Sequence, residues 1–227
     1  MQQIADNLWT FDGPDVRFMT LDFPTRMTIA RIDESLWVHS PIPITPEISE
    51  FIAIHGAVTD VIAPNGFHHL YLDGWLEEFP EASFYAAPGL RKKRPDFQFT
   101  DDLAVGKEYP WSAQIDHEHF VGNPYVEEVV FFHRKSRTLI LTDLVLNLKL
   151  DGFSWWQKTF AKFDNVAFPN GKCPRTMRLT MRDRKAALIC YERMVGWAPQ
   201  RIIISHGECF MENGADEVKR CFGWIAA

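Results

Sequence analysis

Three apolar runs rich in β-branched residues each stop at a titratable side chain: "VTDVIAPNGFHH" at His68 and His69, "TLILTD" at Asp143, and "RIIISH" at His206. β-branched residues favour a pleated, half-buried surface, and the loops that leave the carboxyl ends of strands carry functional groups on a rigid scaffold. The pattern requires a sheet-based fold with His, Asp and His at strand ends. Taken singly, Asp143 reads as a cap of the next segment and His206 as a strand-end residue bonded to a loop. Together they form a candidate constellation.

The rest of the chain supplies the frame. Residues 7 to 39 read as an antiparallel meander: "NLWTFDG" is expected to stop at Gly13-Pro14, "VRFMTLDF" at Pro24, and "RMTIARI" and "SLWVHS" flank a turn at 33–35. Thr45 as N-cap, Pro46 in the first turn, Glu47 and a terminating Gly56 predict a helix over 46–55. "VTDVIAP" and "GWLEEFPEASFYAAPG" then continue in β-α-β-α-β order. Asn65-Gly66 is expected to give a positive-φ turn, with Phe67 plugging the corner. "EEVVFFH", the turn "RKSR" and "TLILTDLVLN" read as a hairpin, and "RIIISHGE" as a late strand. Between them, at about 150–200, lies a helical insert with two amphipathic segments, "SWWQKTFAKF" and "RDRKAALICYERMVGW".

Composition narrows the function classes. With 227 residues, 46% of them hydrophobic, the chain can bury a sizeable core in one domain. A net charge of -6 argues against nucleic-acid and membrane partners, because nothing overall attracts a polyanion. "LRKKRP" and "RTMRLTMRDRK" are solvated faces or, in the sharper reading, a rim that steers an anionic substrate. The four cysteines are widely spaced, with neither a zinc-knuckle pair nor a disulfide framework, so a reduced, cytoplasmic setting is expected. "MQQIADNLWTF" lacks the pattern of a signal peptide, and no apolar window is long enough to span a bilayer.

The order of landmarks, a strand to a His pair, a hairpin to an Asp and a late strand to a His, resembles the metallo-β-lactamase fold superfamily over most of the chain. In "PNGFHH", "EEVVFFH", "LTDLVLN" and "SHG" it is similar to the DUF4336 group, a divergent branch. The resemblance implies an α/β fold, a four-layer αββα sandwich formed by a single domain over 1–227, with the site at one edge of two sheets. Members carry a Thr-His-x-His-x-Asp-His loop, then a Gly-His loop, then an Asp and a terminal His. Asp143 and His206 match the last two. His69 falls on the final His of the first loop and His68 on its Asp, while Pro64 and Gly66 occupy the first two His positions, and Asn123 or Pro124 the His of the second loop. Half the usual ligand set is absent, so the two-metal site of the family is not expected.

His68, His69, Asp143 and His206 are therefore the candidate metal ligands, with Asp143 also the candidate catalytic residue, as ligand or proton acceptor. Neighbouring side chains in extended chain point apart, so one of the two adjacent histidines is expected at the ion, His69 by register. A His₂-Asp set suits one zinc or one iron ion. Glu127, Glu128, Asp73, His117 and His119 are candidates to replace the missing ligands, whereas His39, His55 and His133 read as ordinary hydrogen-bonded residues, His133 in a turn. Three functions follow: a metal-dependent hydrolase of a small ester, lactone, amide or thioester; a metal-free relic that binds a small ligand in a His-Asp-His pocket; or a non-haem iron oxidoreductase. Phe153, Trp155, Trp156 and Phe160 of the insert are expected either to overhang the site as a lid or to pack in the core.

Overall fold

The computed structural model describes residues 1–18 and 21–227. The chain divides into two compact units, Met1–Pro14 with Thr25–Gln114 and Asp15–Pro24 with Ile115–Ala227.

The N-terminal meander forms β1 (Gln2–Ala5), β2 (Leu8–Phe18), β3 (Leu21–Ile32) and β4 (Ser35–His39). Gly13-Pro14 and Pro24 do not end strands as expected; β2 and β3 run through them. Gly13 is there for close approach, because a Cβ would stand 2.8 Å from Ile42 Cγ2. The Pro14 carbonyl is satisfied by the Thr25 hydroxyl at 2.8 Å. Helix α1 (Pro46–His55) begins and ends where its caps predict: Thr45 Oγ1 accepts the Ile48 N–H, and Gly56 closes the helix at φ 137°, where a side chain would strike the Glu34 carbonyl.

β5 (Ala57–Ala63), α2 (Leu72–Glu78), β6 (Ser83–Ala86), α3 (Leu90–Lys93) and β7 (Asp101–Asp102) complete a seven-stranded sheet of order β1 to β7, antiparallel from β3 to β4 and parallel from β4 onward. Its core is aromatic. Trp9 and Phe11 meet Phe51 of α1 edge-on, and Trp75 of α2 is fully buried with its indole N–H donating to the Ile42 carbonyl at 2.7 Å.

The second unit holds a four-stranded sheet of order β11-β10-β9-β8, made of β8 (Ile115–Phe120), β9 (Glu128–His133), β10 (Thr138–Ile140) and β11 (Arg201–Ile203), with only β10 and β11 parallel. The "TLILTD" and "RIIISH" runs thus share a sheet apart from the meander, as expected. "TLILTDLVLN" is not one long strand: β10 stops at Ile140. Thr142 and Asp143 give their N–H groups to the Glu128 carboxylate instead of a ladder partner.

The insert is helical as expected, as α4 (Trp155–Phe163), α5 (Arg175–Thr180) and α6 (Arg184–Trp197), and α7 (Gly214–Phe222) follows β11. α6 and α7 bury Ala187, Cys190, Met194, Val218 and Phe222 in one cluster with Val130, Leu139 and Ile202 of the sheet. Core packing of the insert aromatics holds for Phe153 alone, half-buried against Leu148, Ala161 and Val166; Trp155, Trp156 and Phe160 are exposed. All four cysteines are free thiols. Among the described residues no helix is long and apolar enough to cross a membrane.

Candidate metal centre

In the first unit the chain leaves β5 through Asn65, whose fully buried side chain accepts the N–H groups of Phe67 at 2.7 Å and His68 at 3.1 Å. The corner is therefore an Asx turn, not the expected positive-φ turn: neither Asn65 nor Gly66 has a positive φ. Phe67 does not plug it either. The ring is 37% exposed and lies under the Lys93 ammonium, 5.0 Å from its centroid, while that ammonium donates to the Gly66 carbonyl at 2.6 Å.

The two adjacent histidines address different neighbours. His68 Nδ1 is 2.6 Å from Ser40 Oγ. Ser40 follows β4, is buried, and holds the left-handed conformation at φ 56° with its N–H on the Ile62 carbonyl at 3.0 Å. A non-glycine residue in that region stores strain that its surroundings must offset, a feature that gathers at functional sites. When Ser40 takes the proton of Nδ1, the lone pair of the ring is on Nε2. His69 instead sits against Arg94, with Nη1 3.4 Å from its Nδ1 and 3.3 Å from its carbonyl oxygen. Arg94 is held in turn by Asp73 at 2.9 Å and Asp96 at 2.7 Å. Burial, then the charges of Lys93 and Arg94, lower the His69 pKa.

In the second unit Asp143 and His206 meet, Oδ1 to Nε2 at 3.0 Å. His206 is buried and its Nδ1 donates to the Pro24 carbonyl at 2.7 Å, while Phe23 stands edge-on to the ring at 5.7 Å. Burial opposes a charge on His206, but the hydrogen bond and charge of Asp143 outweigh it and raise the pKa. Behind the pair, burial and the Asp143 charge push the fully buried Glu128 up to about 7.

The loop after His206 is fixed by Asn147. Its N–H takes the His206 carbonyl at 3.1 Å, its own carbonyl accepts the Glu208 N–H at 2.9 Å, and its Oδ1 accepts the Gly171 N–H at 3.0 Å. Gly207, at φ 96°, lies so close to the Asn147 carbonyl that a Cβ cannot fit. That contact accounts for the glycine in "SHG".

The remaining candidates have other duties. Glu128 organises the Asp143 backbone, Asp73 holds Arg94, and Glu127 is exposed. His117 and His119 lie on the edge strand β8, their rings 6.2 Å apart, and His133 ends β9 with Nδ1 2.7 Å from Ser136 Oγ. Asn123, where the family has a His, is a structural tie: its amide donates to the Met177 carbonyl and Thr180 hydroxyl at 2.9 Å, and its Oδ1 accepts the N–H groups of Tyr125 and Val126.

Two sheets with this strand order, and a carboxylate and an imidazole on the loops after the neighbouring strands β10 and β11, define a protein of the metallo-β-lactamase fold. Solved structures agree: a metallo-beta-lactamase from Pontibacter korlensis matches with a TM-score of 0.67 at 12% identity, covering 99% of this chain and 97% of that one. One from Hirschia baltica gives 0.64 at 10% identity with 99% and 95% coverage. FIM-1 from Pseudomonas aeruginosa, in its mono-zinc form, gives 0.61 at 13% identity with 96% and 93%. Within that fold, residues 5–154 match the domain of unknown function DUF4336, and the chain belongs to this family. No curated protein matches it in sequence.

Proposed function

We propose that the protein is a metal-dependent hydrolase of a small ester, lactone, amide or thioester, with a single ion held by His68, Asp143 and His206. The observation that carries this reading is the Asp143–His206 pair: the Pro24 carbonyl fixes the imidazole through Nδ1, which presents Nε2 beside a carboxylate oxygen at 3.0 Å. A carbonyl or carboxylate behind the non-ligating nitrogen is the usual support of a metal-binding histidine. His68 carries the same kind of support from Ser40. That shared feature, and the engagement of His69 with Arg94, favour His68 over its neighbour. The donor set, two imidazoles and a carboxylate, fits zinc, and the mono-zinc form of FIM-1 is a precedent for one ion in this fold.

A bound divalent ion supplies Lewis acidity and a nucleophile at neutral pH. The chain does the rest. Glu128 fixes the Asp143 loop through two backbone N–H groups, so the carboxylate is placed before any ligand arrives. Asp143 accepts a proton from the attacking water and passes it to the leaving atom, while His206, neutral as a ligand, keeps its Nδ1–H on the Pro24 carbonyl and so holds Nε2 toward the ion. Lys93, exposed beside the His68 loop, supports a substrate that carries an anionic group.

A second reading rests on the same pair. A hydrogen-bonded carboxylate–imidazolium couple is satisfied without a metal, as in a pocket that binds a ligand and does not turn it over. Elemental analysis of protein purified without chelators, followed by a panel of chromogenic esters, lactones and thioesters, separates the readings. Zinc with turnover supports the hydrolase, iron without hydrolysis points to an oxidoreductase, and neither metal nor turnover leaves the metal-free pocket.

A further inference from the structure

The net charge of -6 conceals a local reversal. Residues 149–185 hold nine lysines and arginines against three aspartates, and no acidic residue stands between 152 and 163. Asp164, the first after that stretch, is buried and spends its carboxylate on the Thr176 N–H at 2.7 Å and hydroxyl at 3.1 Å.

Helix α4 lies in this cationic segment and exposes the wrong face for a solvated helix. Trp155 is 80% exposed, Trp156 42%, Phe160 44% and Phe163 58%, while Ala161 alone is buried. At about 100° per residue, Trp155, Phe163, Trp156 and Phe160 fall within an arc of about 140°. Thr159 also falls within that arc, Lys162 borders it, Lys158 and Gln157 lie about 60° beyond its two edges, Ala161 lies opposite, and the Arg175 guanidinium covers Phe163 at 4.6 Å from the ring centroid.

We propose that this face is a docking surface for an anionic phospholipid bilayer. Two tryptophans and two phenylalanines fit the headgroup boundary, where amphipathic rings are most favourable, and the flanking lysines extend to phosphate. Charge decides between occupants. A second copy packed on the same patch by two-fold symmetry sets one cationic border, with Lys158, Lys162 and Arg175, beside another of the same sign, whereas a bilayer rich in acidic lipid neutralises them. One nine-residue helix gives reversible association at the surface, without spanning.

The test is co-sedimentation of the full chain with vesicles of phosphatidylcholine alone and of phosphatidylcholine with phosphatidylglycerol. Binding is expected only with the acidic lipid, weakening as salt is added and shifting tryptophan emission to the blue. W155S/W156S abolishes it, and K158Q/K162Q, which removes two charges, weakens it on the order of thirtyfold. Both variants keep the wild-type melting temperature, since the changed side chains are exposed. Absence of binding to acidic vesicles overturns the proposal, as does binding that both variants leave unchanged. So does a change in KM for a soluble substrate without vesicle binding, which is the behaviour of a lid.

Discussion

Glu128 grips Asp143 through the backbone: Oε2 accepts the Asp143 N–H and Oε1 the Thr142 N–H, each at 2.7 Å. This fully buried carboxylate ends strand β10 and sets the loop that carries the candidate catalytic residue.

Replacing it should act on both stability and the site. Glu128→Gln turns an amide NH₂ toward one of the two N–H donors, and the buried mismatch is expected to cost about 1–3 kcal/mol. Zinc affinity should fall about 10- to 100-fold, the usual effect of losing a ligand's supporting partner. Urea unfolding and a competitive chelator titration measure the two effects; an unchanged zinc affinity at lowered stability would confine Glu128 to a structural role.

Ser40 separates strain from support. Ser40→Ala keeps the left-handed backbone strain and removes the 2.6 Å contact with His68, whereas Ser40→Gly relieves the strain and removes the same contact. Both variants should lose about 10- to 100-fold in zinc affinity. Only Ser40→Gly should retain near-native stability. Equal affinities for wild type and both variants, by chelator competition, would remove Ser40 and with it the argument for His68.

Acid should destabilise the fold through buried histidines. Burial lowers His39 to about 3, and His119 and His133 to about 4. Each stays neutral when folded while the unfolded chain takes a proton below about 6.5, so stability is complete above that pH and lost as pH falls toward the folded values. For His133, which is only 1% exposed, the loss at pH 5 is on the order of 2 kcal/mol. In the metal-free chain His206 has the opposite sign: against burial, the hydrogen bond and charge of Asp143 raise its pKa, so its contribution is complete below about 6.5 and fades as pH rises through the folded value. Urea midpoints from pH 5 to 8 test this, and His133→Gln should flatten the acid limb. An acid limb of unchanged slope in that variant contradicts the assignment.

The fold was legible where local chemistry and long-range order agree. Thr45, Pro46 and Gly56 mark α1 to the residue, and the succession of apolar runs divides correctly between two sheets. Errors arose where a distant group overrides a local rule. Gly13 and Pro24 look like strand breakers, yet Gly13 admits Ile42 and the Pro24 carbonyl holds His206, 182 residues away. Asn65-Gly66 resembles a tight turn, but the buried Asn side chain makes the turn and the glycine needs no special φ. Asp143 and His206 could be read from strand ends; Ser40, Asn147 and the role of Glu128 could not, because each acts through a contact that no sequence spacing encodes. A serine closing "SLWVHS" before Pro41 was the one local sign of Ser40.

The most direct test of the proposed metal centre is the metal content of wild type, His68→Ala, His69→Ala and His206→Ala purified side by side without chelators. One ion per chain is predicted in wild type and in His69→Ala, and none in His68→Ala or His206→Ala, with the melting temperature of the two metal-free variants insensitive to added zinc. Wild-type protein without stoichiometric metal, or an ion lost with His69 and kept without His68, would contradict it.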